Sequence, residues 1–300
     1  MGKIKKALKD PRAVLAWAFR KTKMYWSDEK YLKILYWLFY GKKLHLNKPE
    51  KYSEKIQWLK LYNRKPIFTQ MVDKFEVKRI VTEKIGSEYV IPCYGVWDSF
   101  DEIDFNQLPD QFCLKCTHDS GSFVICKDKS TFNKVAAKER LERNRNKNFF
   151  YEFREWPYKD VKARIIAEKY EPSLGKSNSI EYKLTCCDGE VKVITVCGGV
   201  PHADFSLRSN DNFSKDWKRQ NWYAYYKPKG GQIEKPAQMD EIITLSEKLS
   251  AGIPYVRVDW YIIGDKPYFG EFTFFTWAGF LRFKPQEWDA KMGEWIKLPQ

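Results

Sequence analysis

Two acidic residues, Asp259 and Glu271, stand at mirror positions of a segment whose composition predicts a β-hairpin. Tyr255 to Ile263 is rich in β-branched and aromatic residues, Gly264-Asp265-Lys266 supplies turn chemistry, and Pro267 to Phe275 returns. With the loop centred on Asp265, Asp259 faces Glu271 and Arg257 faces Thr273. Alternation then puts these four residues on one face and Val256, Val258, Phe272 and Phe274 on the other, toward a core. Like charges opposed across a sheet are destabilising, so two carboxylates there call for a cation between them. Hard oxygen donors suit Mg²⁺, which takes one or two protein carboxylates and fills its other sites with water and phosphate oxygens. Two alternatives stay open: a loop off-centre by one residue would leave the acids solvated, and an Arg257–Asp259 ion pair would serve the sheet alone.

A second constellation lies upstream. Phe112 to Val124 reads as a strand, a short polar loop containing Gly121, and a second strand. A lysine near a strand end, Lys115, followed by the small-residue loop Ser120-Gly121-Ser122, is one way to hold nucleotide phosphates. The ammonium meets the charge and the loop N–H groups supply donors. It is not a Walker A sequence, because Gly-Lys-Ser/Thr is absent and no helix follows at once. A lysine on a surface hairpin is the plainer alternative.

The elements that must position these residues follow from periodicity. Asp28 to Tyr40, Ser53 to Tyr62 and Pro66 to Ile85 have helical spacing, the last closed by Gly86. Strands are expected at Val90 to Val96, Phe112 to Lys115, Phe123 to Lys127, Arg164 to Tyr170, Ile180 to Cys187 and Val191 to Cys197, with Asp188-Gly189 a hairpin turn. Ser130 caps a helix from Thr131 to about Asn146, and Asp240 caps one ending at Ala251, closed by Gly252. Strands with helices set beside them indicate an α+β class.

The 300-residue chain is 43% hydrophobic and carries 12 Trp, 18 Tyr and 20 Phe, which excludes disorder. Its longest apolar run, Ile34 to Tyr40, falls far short of the roughly 18 to 20 residues of a membrane span. Met1 to Lys23 shows no secretory pattern, which leads to an expectation of a cytoplasmic location. Seven cysteines are therefore read as reduced thiols, and Cys113 and Cys116, on opposite faces of a strand, do not make a zinc site. The net charge of +14 is concentrated: residues 1–65 hold 18 Lys/Arg against 5 Asp/Glu, and the other 235 hold 35 against 34. Interleaved with Trp17, Phe19, Tyr25, Trp26, Tyr31, Trp37 and Phe39, this basicity suits a helix on an anionic surface, or else a solvated helical domain with an aromatic core. The near-neutral remainder argues against a nucleic-acid-binding protein.

In order and spacing, Asp73-Lys74, Phe112-Cys-Leu-Lys115, Glu168-Lys169-Tyr170 and the acidic hairpin resemble the ATP-grasp superfamily, which clamps ATP between two α+β subdomains. Asn47 to Leu61, Ile91-Pro92, Arg257-Val-Asp259, Gly270-Glu-Phe-Thr273 and Phe283 to Asp289 narrow this to the TupA-like family associated with teichuronopeptide and surface polysaccharide synthesis. The resemblance implies that Lys74 and Lys115 contact nucleotide, that Ser120, Gly121 and Ser122 cover phosphate, and that Glu168, Lys169 and Tyr170 receive adenine. It makes Asp259 and Glu271 the magnesium ligands, with Thr273 where many members carry Asn, and Arg257 and Lys115 the catalytic cations. It also implies a division into residues 1–65, a basic helical region, 66–90, a leading helix, 91–170, a small subdomain with the phosphate loop, and 171–300, a large one with the metal hairpin.

These expectations combine into an ATP- and Mg²⁺-dependent carboxylate–amine ligase of cell-surface or capsular polysaccharide synthesis. The acceptor would be a uronic-acid glycan or lipid-linked precursor, joined to an amine or amino acid. His202, Arg208 and Arg219 are the residues expected to meet a uronate. The basic N-terminal region would bring the protein to the inner face of the membrane. Phosphotransfer to a sugar hydroxyl and glycosyl transfer are the rival readings.

Overall fold

The computed structural model describes residues 11–119, 121–174, 176, 179–199 and 208–299. Ser120, His202 and residues 1–10 lie outside these, so the expectations placed on them are not developed further. The N-terminal third is helical as its periodicity predicts: α1 (Pro11–Arg20), α2 (Asp28–Tyr40), α3 (Tyr52–Tyr62), α4 (Pro66–Val72) and α5 (Glu76–Ile85). The single helix expected over 66–85 is broken at Asp73-Lys74-Phe75. The Asp73 carboxylate accepts from Phe75 N (2.8 Å) and Glu76 N (3.2 Å), satisfying donors that open a new helix and ending the old one.

β1 (Cys93–Trp97), β2 (Phe112–Cys116), β3 (Phe123–Cys126) and β4 (Ile165–Lys169) form a small antiparallel sheet in the order β1-β4-β2-β3. α6 (Lys134–Arg145) covers it, burying Ala137 and Leu141 against Phe112, Leu114 and Cys116. This helix starts later than its sequence suggests. Asp128, not a helix, holds Ser130 (2.8 Å), and Asn133 accepts from Ala136 N (3.0 Å) as the true cap. A short helix α7 (Phe150–Phe153) leads back toward β4.

The large antiparallel sheet has the order β10-β9-β5-β6-β7, from β5 (Ile180–Cys187), β6 (Glu190–Gly198), β7 (Ser209–Phe213), β9 (Val256–Ile263) and β10 (Lys266–Thr273). β8 (Tyr223–Ala224) pairs with β11 (Phe283–Lys284), and α8 (Met239–Ser250) and α9 (Trp288–Trp295) complete the chain. The Asp188-Gly189 turn has φ of 52° and 80°, the paired positive values of a tight hairpin. Gln238, not Asp240, flanks α8, whose first turn contains Asp240. β7, Ser-Asn-Asp-Asn-Phe, has no apolar alternation by which sequence could reveal it.

One face of the large sheet carries Val256, Val258, Trp260, Leu184 and Phe272 into the main core. α3, α4 and α5 belong to that core too, through Tyr52, Ile56, Phe68, Val77 and Val81. α2 instead packs Tyr31, Leu32, Leu35 and Tyr36 against Ala278 and Phe280. No helix among the described residues is long and apolar enough to cross a membrane. All seven cysteines are free thiols, five of them buried, with Cys93 and Cys197 partly accessible. Among the described residues no group of three or more His, Cys, Asp or Glu is gathered for a metal.

Candidate active site

The polar face of the large sheet is set by strand register. The hairpin loop proves to be centred between Gly264 and Asp265, since Ile263 pairs with Lys266 and Trp260 with Phe269. A bulge at Gly270-Glu271 then inserts one residue, so Val258 pairs with Phe272 and Arg257 with Thr273, as the sequence predicts for that end. Asp259 therefore lies opposite the bulge. On its other side Asp259 pairs with Lys183 of β5, and Arg257 pairs with Thr185. Lys183 and Glu181 are functional candidates that sequence reasoning missed; the alternation of β5 was the available signal.

Asp259 is almost completely buried. The Arg257 guanidinium grips it in bidentate fashion, Nε to Oδ1 and Nη2 to Oδ2, both at 2.6 Å. Lys183 Nζ approaches Oδ2 at 3.3 Å and Glu181 at 2.9 Å. Burial alone would raise the Asp259 carboxyl pKa, but Arg257 and Lys183 hold it below the usual carboxylate range. Arg257 also reaches Glu271 Oε1 at 3.6 Å. A cation between the two acids is thus present, and it is the guanidinium. Glu271 is half exposed, and its Oε1 accepts from Thr273 Oγ1 at 3.3 Å.

The second wall comes from the small sheet. Lys115 Nζ binds Glu168 Oε2 at 2.5 Å, and Lys78, one turn after Lys74 on α5, binds the other oxygen at 2.6 Å. Burial would raise the Glu168 carboxyl pKa, but the two ammonium groups bring it down to about 2. Glu168 is therefore an ionised anchor for two lysines at neutral pH. Lys169, which follows it, is exposed and Tyr170 is half-buried. Lys74 donates to the Asp119 backbone carbonyl and ties to Thr117 O through its own N–H (3.0 Å). Gly121 is exposed with φ of 90°, whereas Ser122 is buried, donating to Asp119 Oδ1 at 2.5 Å. Of that loop's described residues only Gly121 faces solvent.

The two walls share one electrostatic space. The charge of Glu271 helps hold Lys115 protonated. Burial and then Glu271 and Glu155 push the Tyr158 phenol pKa far up, with Arg257 and Asp119 acting on it from either wall. The structure does not bring Arg219 here: it pairs with Asp211, stacks over Phe213 at 4.9 Å and bonds Gly231 O at 2.6 Å, fastening its own loop. Arg208 lies over Tyr226, 5.6 Å from the ring centre.

These donors fit both a nucleotide phosphate and a divalent ion. Three carboxylates (Asp259, Glu271, Glu181) face two cations (Arg257, Lys183), leaving one negative charge in excess on the sheet face. Asp259 Oδ1 accepts from Arg257 Nε and has a further lone pair, while Glu271 is open to solvent. Two carboxylates with room for water and phosphate is the set that Mg²⁺ takes.

Residues 54–297 match the model of the family described as TupA-like ATPgrasp, and the chain belongs to that family. Its two facing antiparallel sheets are accordingly an ATP-grasp fold. Among solved structures it is similar to D-alanine–D-alanine ligase from Bacillus anthracis complexed with ATP, at 17% identity over 68% of this chain and 54% of that one, TM-score 0.39. D-cycloserine synthetase is 15% identical over 70% and 64%, TM-score 0.41. D-alanine–D-alanine ligase from Helicobacter pylori is 12% identical over 83% and 68%, TM-score 0.45. The chain spans a little over half the length of the first of these. No curated protein matches it in sequence.

Proposed function

We propose that the protein is an ATP-dependent carboxylate–amine ligase acting through an acyl phosphate, with a uronic-acid carboxylate as acceptor. The observation that carries this reading is the set of anchored cations: Arg257 and Lys183 on the large sheet and Lys115 and Lys78 beside the small one, each paired with a carboxylate, with Lys74 held by the Asp119 backbone carbonyl. Pinned ammonium groups need no reorganisation when phosphate charge shifts during transfer. Arg257, held through Nε and Nη2 by Asp259, would offer its remaining N–H groups to the γ-phosphate or the acyl-phosphate oxygens. Asp259 and Glu271, with Thr273 beside them, would hold Mg²⁺. Bound there, the ion would supply the positive charge that offsets phosphate during transfer.

In the reaction a carboxylate oxygen attacks the γ-phosphorus, and the bond to the ADP oxygen breaks. The amine then attacks the acyl carbon, phosphate leaves, and the amide nitrogen loses a proton. A polysaccharide acceptor is favoured by the basic, aromatic N-terminal helices, which suit a lipid-linked anionic precursor at a membrane surface. Incubation with ATP, Mg²⁺, uronic-acid oligosaccharides and amino acids should release ADP and phosphate together. Release of AMP, or no turnover with any carboxylate, overturns the proposal. Phosphate retained on the sugar would indicate a phosphotransferase, and preference for a UDP-sugar over ATP a glycosyltransferase.

A further inference from the structure

The segment that follows β10 holds a backbone most side chains avoid. Trp277 and Ala278 both have φ of 51°, and Tyr225, stacked on Trp277, has φ of 62°. Such conformations persist only where the surroundings over-determine them, and they cluster at ligand sites. Here the over-determination is visible carbonyl by carbonyl. Lys60 Nζ donates to Ala278 O (2.7 Å), Gln57 Nε2 to Ala278 O (3.2 Å) and Gly279 O (3.3 Å), and Tyr40 OH to Leu281 O (2.9 Å). Tyr225 OH holds Phe280 O (2.7 Å), and Tyr52 OH approaches Thr276 O (3.4 Å). Lys60 is wholly buried and its pKa is lowered by that burial to about 7. Its other hydrogen bonds go to Gln57 Oε1 and Phe153 O. A buried ammonium spent on backbone carbonyls is costly unless the conformation it fixes matters.

What this scaffold presents is an aromatic platform. The Tyr225 and Trp277 rings stack with centres 4.3 Å apart and planes 25° apart, yet stay 42% and 46% exposed. Tyr226 lies 5.9 Å from Trp277, with Arg208 over its ring and its Nη1 3.4 Å from the Tyr226 hydroxyl. Trp277 follows Thr273 by four positions, so the platform begins no more than about 14 Å along the chain from the polar sheet face. Tyr255, two residues before Arg257, joins them through Thr276 Oγ1 at 2.9 Å.

We infer that Tyr225 and Trp277 form a docking platform for a pyranose ring of an anionic glycan, with Arg208, held over the neighbouring Tyr226 ring, matching its carboxylates. Aromatic faces carry the negative side of the ring quadrupole and attract the weakly positive C–H face of a sugar. Guanidinium groups at the edge pair with carboxylate in planar fashion. The assignment deepens the ligase reading, from which it takes the acceptor's class. The platform would hold the chain of the acceptor while one carboxylate meets the phosphate.

The test is calorimetric titration of the full chain with tetragalacturonate and with a hyaluronan tetrasaccharide, beside a separate titration with a non-hydrolysable ATP analogue and Mg²⁺. The wild type should bind a uronate probe. Trp277→Ala should weaken that binding at least tenfold, Tyr225→Phe should retain it, and both should bind the ATP analogue like wild type. Equal uronate affinity in Trp277→Ala, equal binding of neutral cellotetraose, or no binding of either uronate by a wild type that binds the analogue, overturns the platform. Loss of analogue binding in the wild type would instead strike the ligase reading, and uronate binding would still report on the platform. Trp277→Phe, which keeps a ring, guards against misfolding and should fall between wild type and Trp277→Ala.

Discussion

The two acids of the hairpin play unequal parts, and burial separates them. Asp259 is locked between Arg257 and Lys183, so removing its charge takes from the buried Arg257 its bidentate partner and leaves it only Glu271 at 3.6 Å. Asp259→Asn should therefore cost roughly 3–5 kcal/mol of stability as well as turnover. Glu271 is half exposed, and Glu271→Gln should leave the unfolding free energy within about 0.5 kcal/mol of wild type. Its ATP turnover should nonetheless fall about a hundredfold or more. Thermal melts beside an ADP-release assay separate the two. Unchanged turnover in Glu271→Gln would remove that residue from the site. Glu168 offers a test of another kind. With its folded carboxyl pKa held at about 2, against 4.5 when free, its contribution is present above pH 4.5 and is lost as pH falls toward 2. That contribution is worth about 3 kcal/mol at most. Glu168→Gln should be less stable than wild type near pH 7 and show a flatter decline below pH 4.5 in denaturant titrations. Parallel curves would mean that the two lysines do not depend on it.

At the scale of elements, the loop at 276–281 is defined as much by what lies beneath it as by its own residues. Gly279 has φ of 71°, and a Cβ there would meet the Ile56 and Gln57 side chains of α3. Gly279→Ala should destabilise the protein by about 2 kcal/mol or more, measured by chemical unfolding. A neutral result would show that the loop can shift. The hairpin, the sheet strands and most helices were legible because alternation and caps are local signals. The register at Arg257 and Thr273 was legible too, although by a route the residues do not announce: a two-residue loop followed by a bulge restores the offset expected of a three-residue one. The break at Asp73 was hidden, because an acidic residue inside an apolar period reads as part of the helix until its carboxylate turns back on Phe75 and Glu76. Lys78 and Lys183 were hidden for the opposite reason. They lie in regular elements, and only the folded partners Glu168 and Asp259 set them apart from solvated lysines. The platform at Tyr225 and Trp277 joins residues 52 positions apart, a distance at which no periodicity speaks.

For the molecule as a whole, charge and exposed apolar surface coincide at the N-terminal end. Val14, Leu15, Trp17, Met24, Tyr25 and Trp37 are exposed, and Lys21 lies over the Trp17 ring at 3.9 Å. Sedimentation with phosphatidylglycerol vesicles should capture the protein at low ionic strength and release it in about 0.5 M salt, where screening lengths shrink to a few ångströms. Trp17→Ser should weaken capture. Equal binding to neutral vesicles would sink the electrostatic part of the idea. The distribution of sulfur has a practical consequence of its own. With five of seven thiols buried, the folded chain should react with a maleimide chiefly at Cys93 and Cys197. One of the two, Cys197, pairs across the sheet with Glu181, beside Lys183, and burial lifts its thiol pKa to about 11. Its alkylation at pH 8 becomes a built-in gauge of occupancy: a nucleotide lying on that sheet face should slow the reaction.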